Sequence, residues 1–254
     1  MSWAAVEWSI IAPAMVAGLL VLSTHVPLGQ VVLKRGIIFI DLAIAQVAGM
    51  GVIAASAFGW DENRWLVQVA AVGAALLAAA GLNWSEKHWP KTQEALIGTL
   101  FVLAATGSIL LLAENPHGGE HLKDLLVGQI LWTTWDLLAV IAALYAVLLV
   151  IWFGAGERKG TMIFYGVFAF AVTASVQVVG VYLVFASLIL PALATRRLKG
   201  RKRLWTGYAL GAVSYFTGIV ASSILDLPTG AVAVWALALV SIVVGTWIGK
   251  RHWE

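Results

Sequence analysis

An ionisable side chain, Asp41, lies within the second apolar segment of this 254-residue sequence, in Phe39-Ile40-Asp41-Leu42-Ala43-Ile44-Ala45-Gln46. A carboxylate in such a segment is costly unless it faces protein, water or a cation, which points to a functional position. Gln46 lies about 140° round a helix from Asp41, so a regular helix does not direct both onto one face. We expect both residues to lie on an ion pathway. The alternative is that Asp41 caps a helix that starts deeper and Gln46 bonds a neighbouring helix.

A polar segment from Glu114 to Asp124 holds two of the five His of the chain. On a helix, His117 and His121 would face the same side and chelate a divalent cation, with Glu120 as an oxygen ligand. The two glycines between these His disfavour a helix. A solvated acidic loop is therefore the main expectation, and metal capture by the three residues is the alternative.

The densest run of charge is basic and spans residues 196–203, with the sequence RRLKGRKR. It holds more positive charge than is needed to orient a membrane protein, so it is expected to bind anionic lipid head groups or a cytoplasmic partner. The candidate docking residues are Arg196, Arg197, Lys199, Arg201, Lys202 and Arg203.

Other chemistry has no candidate residues. Cys is absent, which excludes thiolate catalysis and iron–sulfur ligation. The sequence contains no Walker A, HExxH or GxSxG pattern. We therefore expect a chain that is not an enzyme, that binds no cofactor, and for which a divalent metal ion is a possible substrate.

The composition determines which elements position these residues. Hydrophobic residues make up 61% of the chain and charged residues 11%, against about 45–50% and about 25% in soluble domains. This predicts an all-α, polytopic membrane protein with one transmembrane domain over residues 1–254 and about eight or nine spans. The predicted spans are Trp8–Thr24, Gly36–Phe58, Trp65–Asn83, Glu94–Ala113, Asp136–Phe153, Leu204–Leu225 and Thr229–Gly249, with the block Thr161–Thr195 left ambiguous. His25, just after the first span, is expected to be an interfacial hydrogen-bonding residue.

Charge placement predicts how the ambiguous block crosses the membrane. If alternate loops face the cytoplasm, 14 of the 16 basic residues lie inside, and only Arg64 and Lys123 lie outside. The block must then begin and end on the same side, as two short crossings or a re-entrant hairpin that turns near Gln177–Gly180. Pro191 adds a second expected irregularity. The N-terminus is expected outside and the C-terminus in the cytoplasm.

One long motif stands out in the second half of the chain, Gln177–Ala192, QVVGVYLVFASLILPA. Five further segments complete an ordered pattern: His25–Gly29, Lys34–Gly51, Glu94–Thr99, Leu125–Leu131 and Asp226–Gly230. Together these segments resemble the permease subunits of zinc, manganese and iron ABC importers.

The resemblance implies a homodimeric pore subunit in the bacterial inner membrane. It also implies a separate cytoplasmic ATPase and an extracytoplasmic metal-binding protein as partners. In that family an Asp at the position of Asp41 and a His four residues later form the central cation site. In this chain Ala45 occupies the position of that His, and Gln46 follows it. Relatives also carry a cytoplasmic helical stretch where this chain has only Gly156–Gly160.

Two functions follow from the sequence. The first is the permease subunit of an ABC-type transporter for a divalent metal ion of the zinc, manganese or iron class. The alternative is a permease-derived subunit that no longer transports and is a structural or metal-delivery component of a larger membrane complex.

Overall fold

The computed structural model describes residues 7–60, 63–112, 118–154 and 160–250, and in these residues all regular elements are helices, without a β-strand. Eight helices are long and apolar enough to cross a membrane, and one short helix, α5, is not. The all-α polytopic prediction is confirmed. The helices are α1 Trp8–Arg35, α2 Ile40–Ala57, α3 Arg64–His88, α4 Gln93–Leu112, α5 Gly118–Val127, α6 Trp135–Gly154, α7 Thr161–Ala194, α8 Gly200–Leu225 and α9 Thr229–Lys250.

The ends of the helices lie on two opposite faces of the bundle. Arg35 at the end of α1 forms an ion pair with Glu86 near the end of α3, with an N–O distance of 3.3 Å. The Arg35 guanidinium also lies 4.5 Å from the ring centre of Phe164, at the start of α7. We call this end, which also carries the start of α8, the basic face. Arg64, at the start of α3, belongs to the opposite face, as the charge pattern predicts for the side with few basic residues.

The ambiguous block is a single helical element, α7, folded back at Gly180. Its backbone is non-helical there, with φ 78° and ψ 162°, and not at Pro191. The first half begins at the basic face, where the ring of Phe164 contacts Trp152 of α6. The second half returns to that face, because a Cβ on Gly245, near the end of α9, would lie 3.5 Å from Ala194. The predicted turn near Gln177–Gly180 is confirmed, and the eight long helices, one of them folded back, agree with the predicted eight or nine spans.

Two predicted boundaries are wrong at the first loop. The first helix continues past Thr24 to Arg35, and the second begins at Ile40 rather than at Gly36. Gly36 explains both shifts, because it has a left-handed φ of 73° and its N–H bonds the carbonyl of Val32, a conformation that glycine adopts without strain and that ends helices. Asp41 therefore lies in the first turn of α2, near the basic face, and not deep in a span.

The core is formed around α7, which is buried over most of its length, whereas α3, α4, α6 and α9 are largely exposed. The exposed side chains of those four helices are mainly apolar, including Trp65, Leu110, Val150 and Ile242. Such surfaces are stable against lipid tails. Because lipid gives no hydrophobic drive for helix association, the helices rely on close packing at small residues. The ring of Tyr215 from α8, for example, packs directly against Gly18 of α1, where a Cβ atom would collide with it.

Candidate functional site

Asp41 is fully buried, and the groups recorded beside its carboxylate are its own backbone N–H and that of Leu42. Its side chain is 0% exposed, and neither carboxylate oxygen is bonded within the described part of the chain. The residue before α2, Phe39, holds the N-cap position, and no side chain caps the helix. The alternative interpretation is therefore correct that the helix starts deeper, at Ile40, but Asp41 lies in the first turn of α2 and not at its N-cap. A buried carboxylate with two free oxygens requires a proton or a cation, since an unpaired buried charge is strongly unfavourable.

Gln46 faces a different environment from Asp41, as the helical geometry of α2 predicts. It is 3% exposed, and its Oε1 atom has no hydrogen-bond partner among the residues that the structure describes. With Leu42 it lines a mostly apolar groove of about 690 Å³. Asp41 is not among the residues that line this groove. The groove is bordered by Phe101 and Ala105 of α4, Tyr182 and Phe185 of α7, and Trp235 and Ala238 of α9.

His25 is a second buried polar group, and its predicted interfacial position is wrong. Because α1 continues to Arg35, His25 lies inside the helix and is 0% exposed. Its Nδ1 atom is 2.9 Å from the carbonyl oxygen of Val21, so Nδ1 donates and Nε2 is left as an acceptor. Nε2 has no partner among the described residues. Only the full extent of α1 reveals this site, because sequence gives no signal that the helix passes Pro27.

The proposed outer metal site is only partly described. Glu120 and His121 lie on α5, whereas His117 lies outside the described residues. The expectation of a solvated loop in place of a helix is wrong from Gly118 onward. Both glycines occupy the first turn of α5, where backbone N–H groups lack helical partners anyway, so they do not interrupt it. Within the described ranges, no three His, Asp or Glu residues are grouped to hold a metal ion.

Three backbone segments meet where α7 folds back. Gly180 and Gly128, each with a positive φ, approach so closely that a Cβ on either would collide with backbone atoms of the other. Gly230, at the start of α9, lies against the carbonyl group of Val127. This contact joins the end of α5, the tip of α7 and the start of α9. Sequence analysis placed the turn but did not identify Gly128 as its partner.

A pair of amides fixes the same tip to α3. The Nε2 atom of Gln177 donates to Oε1 of Gln68 at 3.0 Å, and Gln68 donates back to Gln177. Both side chains line a cavity of about 650 Å³ on the opposite face, together with Arg64 and Thr134. Nothing in the linear sequence pairs these residues, which are 109 positions apart.

The basic cluster divides into two parts. Arg196, Arg197 and Lys199 lie on the exposed connection between α7 and α8, and Arg201, Lys202 and Arg203 lie on the first turn of α8. All are exposed except Arg203, which is half-buried and whose Nε atom has no hydrogen-bond partner in the described part of the chain. In the described ranges the one ion pair is Arg35–Glu86, so no carboxylate neutralises this cluster.

Comparison with known proteins identifies the family. The model of the ABC 3 transport family matches residues 7–157 and 157–247. The chain belongs to the ABC 3 transport family. It is therefore a multi-pass membrane subunit of ABC transport and not an enzyme, since the ATPase is a separate chain.

Solved structures share the fold of this ABC 3 family member. PsaBC from Streptococcus pneumoniae, in complex with Fab, is 18% identical, with a TM-score of 0.74 over 94% of this chain and 91% of that one. An inward-facing transporter of the metal-chelate type is 14% identical, with a TM-score of 0.64 over 94% of this chain and 84% of that one. No curated protein is significantly similar in sequence.

Proposed function

We propose that this chain is the permease subunit of an ABC transporter that moves a divalent metal ion across the bacterial inner membrane. The observation that carries the proposal is the Asp41 carboxylate, which is buried and has two unbonded oxygens in a chain of this family. Oxygen ligands suit hard and borderline divalent ions. A bound cation would supply the positive charge that balances the Asp41 carboxylate.

A second copy of the chain covers the groove that Gln46 lines. Trp235 is 69% exposed near the middle of α9, and Tyr182 is 52% exposed on α7. Both carry a polar group that lipid tails cannot satisfy. A homodimer through this groove would enclose these groups and bring Gln46 of each copy near the pathway.

The two remaining partners would bind at opposite faces of the bundle. The exposed residues Arg196, Arg197 and Lys199 supply uncompensated positive charge for a cytoplasmic ATPase. An extracytoplasmic metal-binding protein would dock on the opposite face, beside the cavity that contains Arg64 and Gln68. Because Asp41 is enclosed, the ion reaches it only when α2 and its neighbours rearrange, as alternating access requires.

The test is metal accumulation in cells that lack the chromosomal copy and express variants from a plasmid. Asp41→Asn keeps the size of the side chain and removes its charge. We expect it to abolish uptake of the ion that the wild type restores, measured as cellular zinc, manganese and iron by mass spectrometry. Asp136→Asn is the matched control, because Asp136 is exposed on the first turn of α6, and it should accumulate metal like the wild type.

Membrane abundance and far-ultraviolet circular dichroism confirm that each variant is folded. Wild-type metal accumulation by Asp41→Asn would refute the assigned pathway. If the deletion strain itself accumulates all three metals normally, the transport function is wrong. Ala45 and the six residues between α6 and α7 would then favour a subunit that no longer transports, and purification without an ATPase would support it.

A further inference from the structure

A pocket of about 560 Å³ lies at the basic face between the start of α8 and the end of α9. Arg201 and Lys202 contribute positive charge, and the indoles of Trp205 and Trp247 form its sides. Leu198, Thr206 and Ile248 complete the lining. The pocket thus combines two cations with an apolar and aromatic interior, and its walls come from two separate helices.

Among the described residues, no carboxylate forms an ion pair with Arg201 or Lys202. The first turn of α8 contains no acidic residue, and no side chain caps the helix at Lys199. The unpaired N–H groups of that turn and the helix dipole add to the positive potential of Arg201 and Lys202. Within the described part of the chain, the ion pair of Arg35 with Glu86 involves neither residue. An anionic ligand would complete the pocket electrostatically.

The position of the pocket selects the kind of anion. It lies where two apolar helices end, and tryptophan side chains prefer the head-group level of a bilayer. Trp205 is 67% exposed, so its ring is available to a lipid, and Trp247 lines the same pocket. We propose that this pocket binds the head group of an anionic phospholipid, with the phosphate at Arg201 and Lys202 and the upper acyl chains beside the exposed ring of Trp205.

The same residues are poorly suited to be the main ATPase contact. A soluble subunit would approach from beyond the membrane surface, where Arg196, Arg197 and Lys199 lie on the exposed connection. Arg196 and Arg197 line another groove, between the end of α7 and α9. The lipid pocket and the connection therefore present separate positive surfaces, although they are adjacent in sequence.

The experiment measures lipid retention by the full chain. The protein is reconstituted in nanodiscs of equal phosphatidylglycerol and phosphatidylcholine, extracted into mild detergent, and examined by native mass spectrometry. We expect the wild type to retain phosphatidylglycerol selectively. Each basic residue near an anionic surface contributes about fivefold to binding, so the double variant Arg201→Gln/Lys202→Gln should reduce the selective retention by about 25-fold.

The matched control is Lys87→Gln/Lys91→Gln, which removes the same charge from exposed positions on the same face. It should retain phosphatidylglycerol like the wild type. Equal retention by the two double variants, or retention of phosphatidylcholine as strong as that of phosphatidylglycerol, would overturn the proposal. So would a loss of ATPase co-purification in Arg201→Gln/Lys202→Gln with lipid retention unchanged, because the surface would then bind a protein.

Discussion

Gly180→Ala tests whether the fold-back of α7 depends on the absence of a side chain. Gly180 has φ 78° and ψ 162°, a backbone region that is almost exclusive to glycine and costs other residues about 1–3 kcal/mol. A Cβ there would also collide with the backbone of Gly128, and overpacking of this kind costs about 1–3 kcal/mol more. The two effects together predict a destabilisation of about 2–6 kcal/mol.

The control for this change lies in the same helix. Gly166 has helical backbone angles, and a Cβ there would meet no atom within 4 Å. Gly166→Ala should be neutral or stabilise the protein by up to about 1 kcal/mol, because alanine is the better helix former. The difference between the two variants therefore measures the backbone geometry and the contact, and not the added methyl group itself.

The assay is thermal unfolding of the purified chain in detergent, followed by circular dichroism and by the folded fraction in size-exclusion chromatography. For a chain of this size, the predicted loss lowers the midpoint by roughly 10 °C. Gly128→Ala should cause a similar loss, and the double variant should lose less than the sum, because both changes break one contact. A midpoint for Gly180→Ala within about 1 °C of that for Gly166→Ala would refute the reasoning.

Two further variants test other side-chain contacts by the same thermal unfolding assay. Arg35→Gln removes the ion pair with Glu86 and the contact with the ring of Phe164, and should cost about 1–2 kcal/mol; an unchanged midpoint would contradict this. Tyr215→Phe removes the 2.8 Å hydrogen bond between the hydroxyl groups of Tyr215 and Ser187, and should cost about 1 kcal/mol. A Tyr215→Phe variant more stable than the wild type would show that this buried bond does not stabilise α7 against α8.

The features that could be predicted from the sequence are those that depend on the order of apolar and charged residues along the chain. Long apolar segments must form helices in lipid, so the existence and type of the spans followed from composition. The segregation of basic residues required the block that became α7 to start and end on one side, and Gly180 was within the predicted turn. Boundaries were less predictable, because the end of α1 is fixed by the local conformation of Gly36.

For the candidate functional residues, too, some properties could be predicted from the sequence and others could not. Asp41 could be selected from sequence because a carboxylate in an apolar segment is rare for energetic reasons, and its separation from Gln46 followed from helix geometry. The cost of leaving its oxygens unbonded could not be predicted, because that depends on which side chains surround it. His25 was misplaced for a related reason, since its environment changed once α1 was found to continue past it.

By itself the sequence determined a polytopic, all-helical chain with a strongly basic side and a carboxylate within an apolar span. It could do so because hydrophobicity, charge and helical period are properties of neighbouring residues. Only the tertiary structure determined that Gly128 contacts Gly180, that Gln68 pairs with Gln177, and that Arg201 and Lys202 share a pocket with Trp247. These contacts join residues far apart in sequence, and they form only because helix packing brings particular backbones and side chains to the same place.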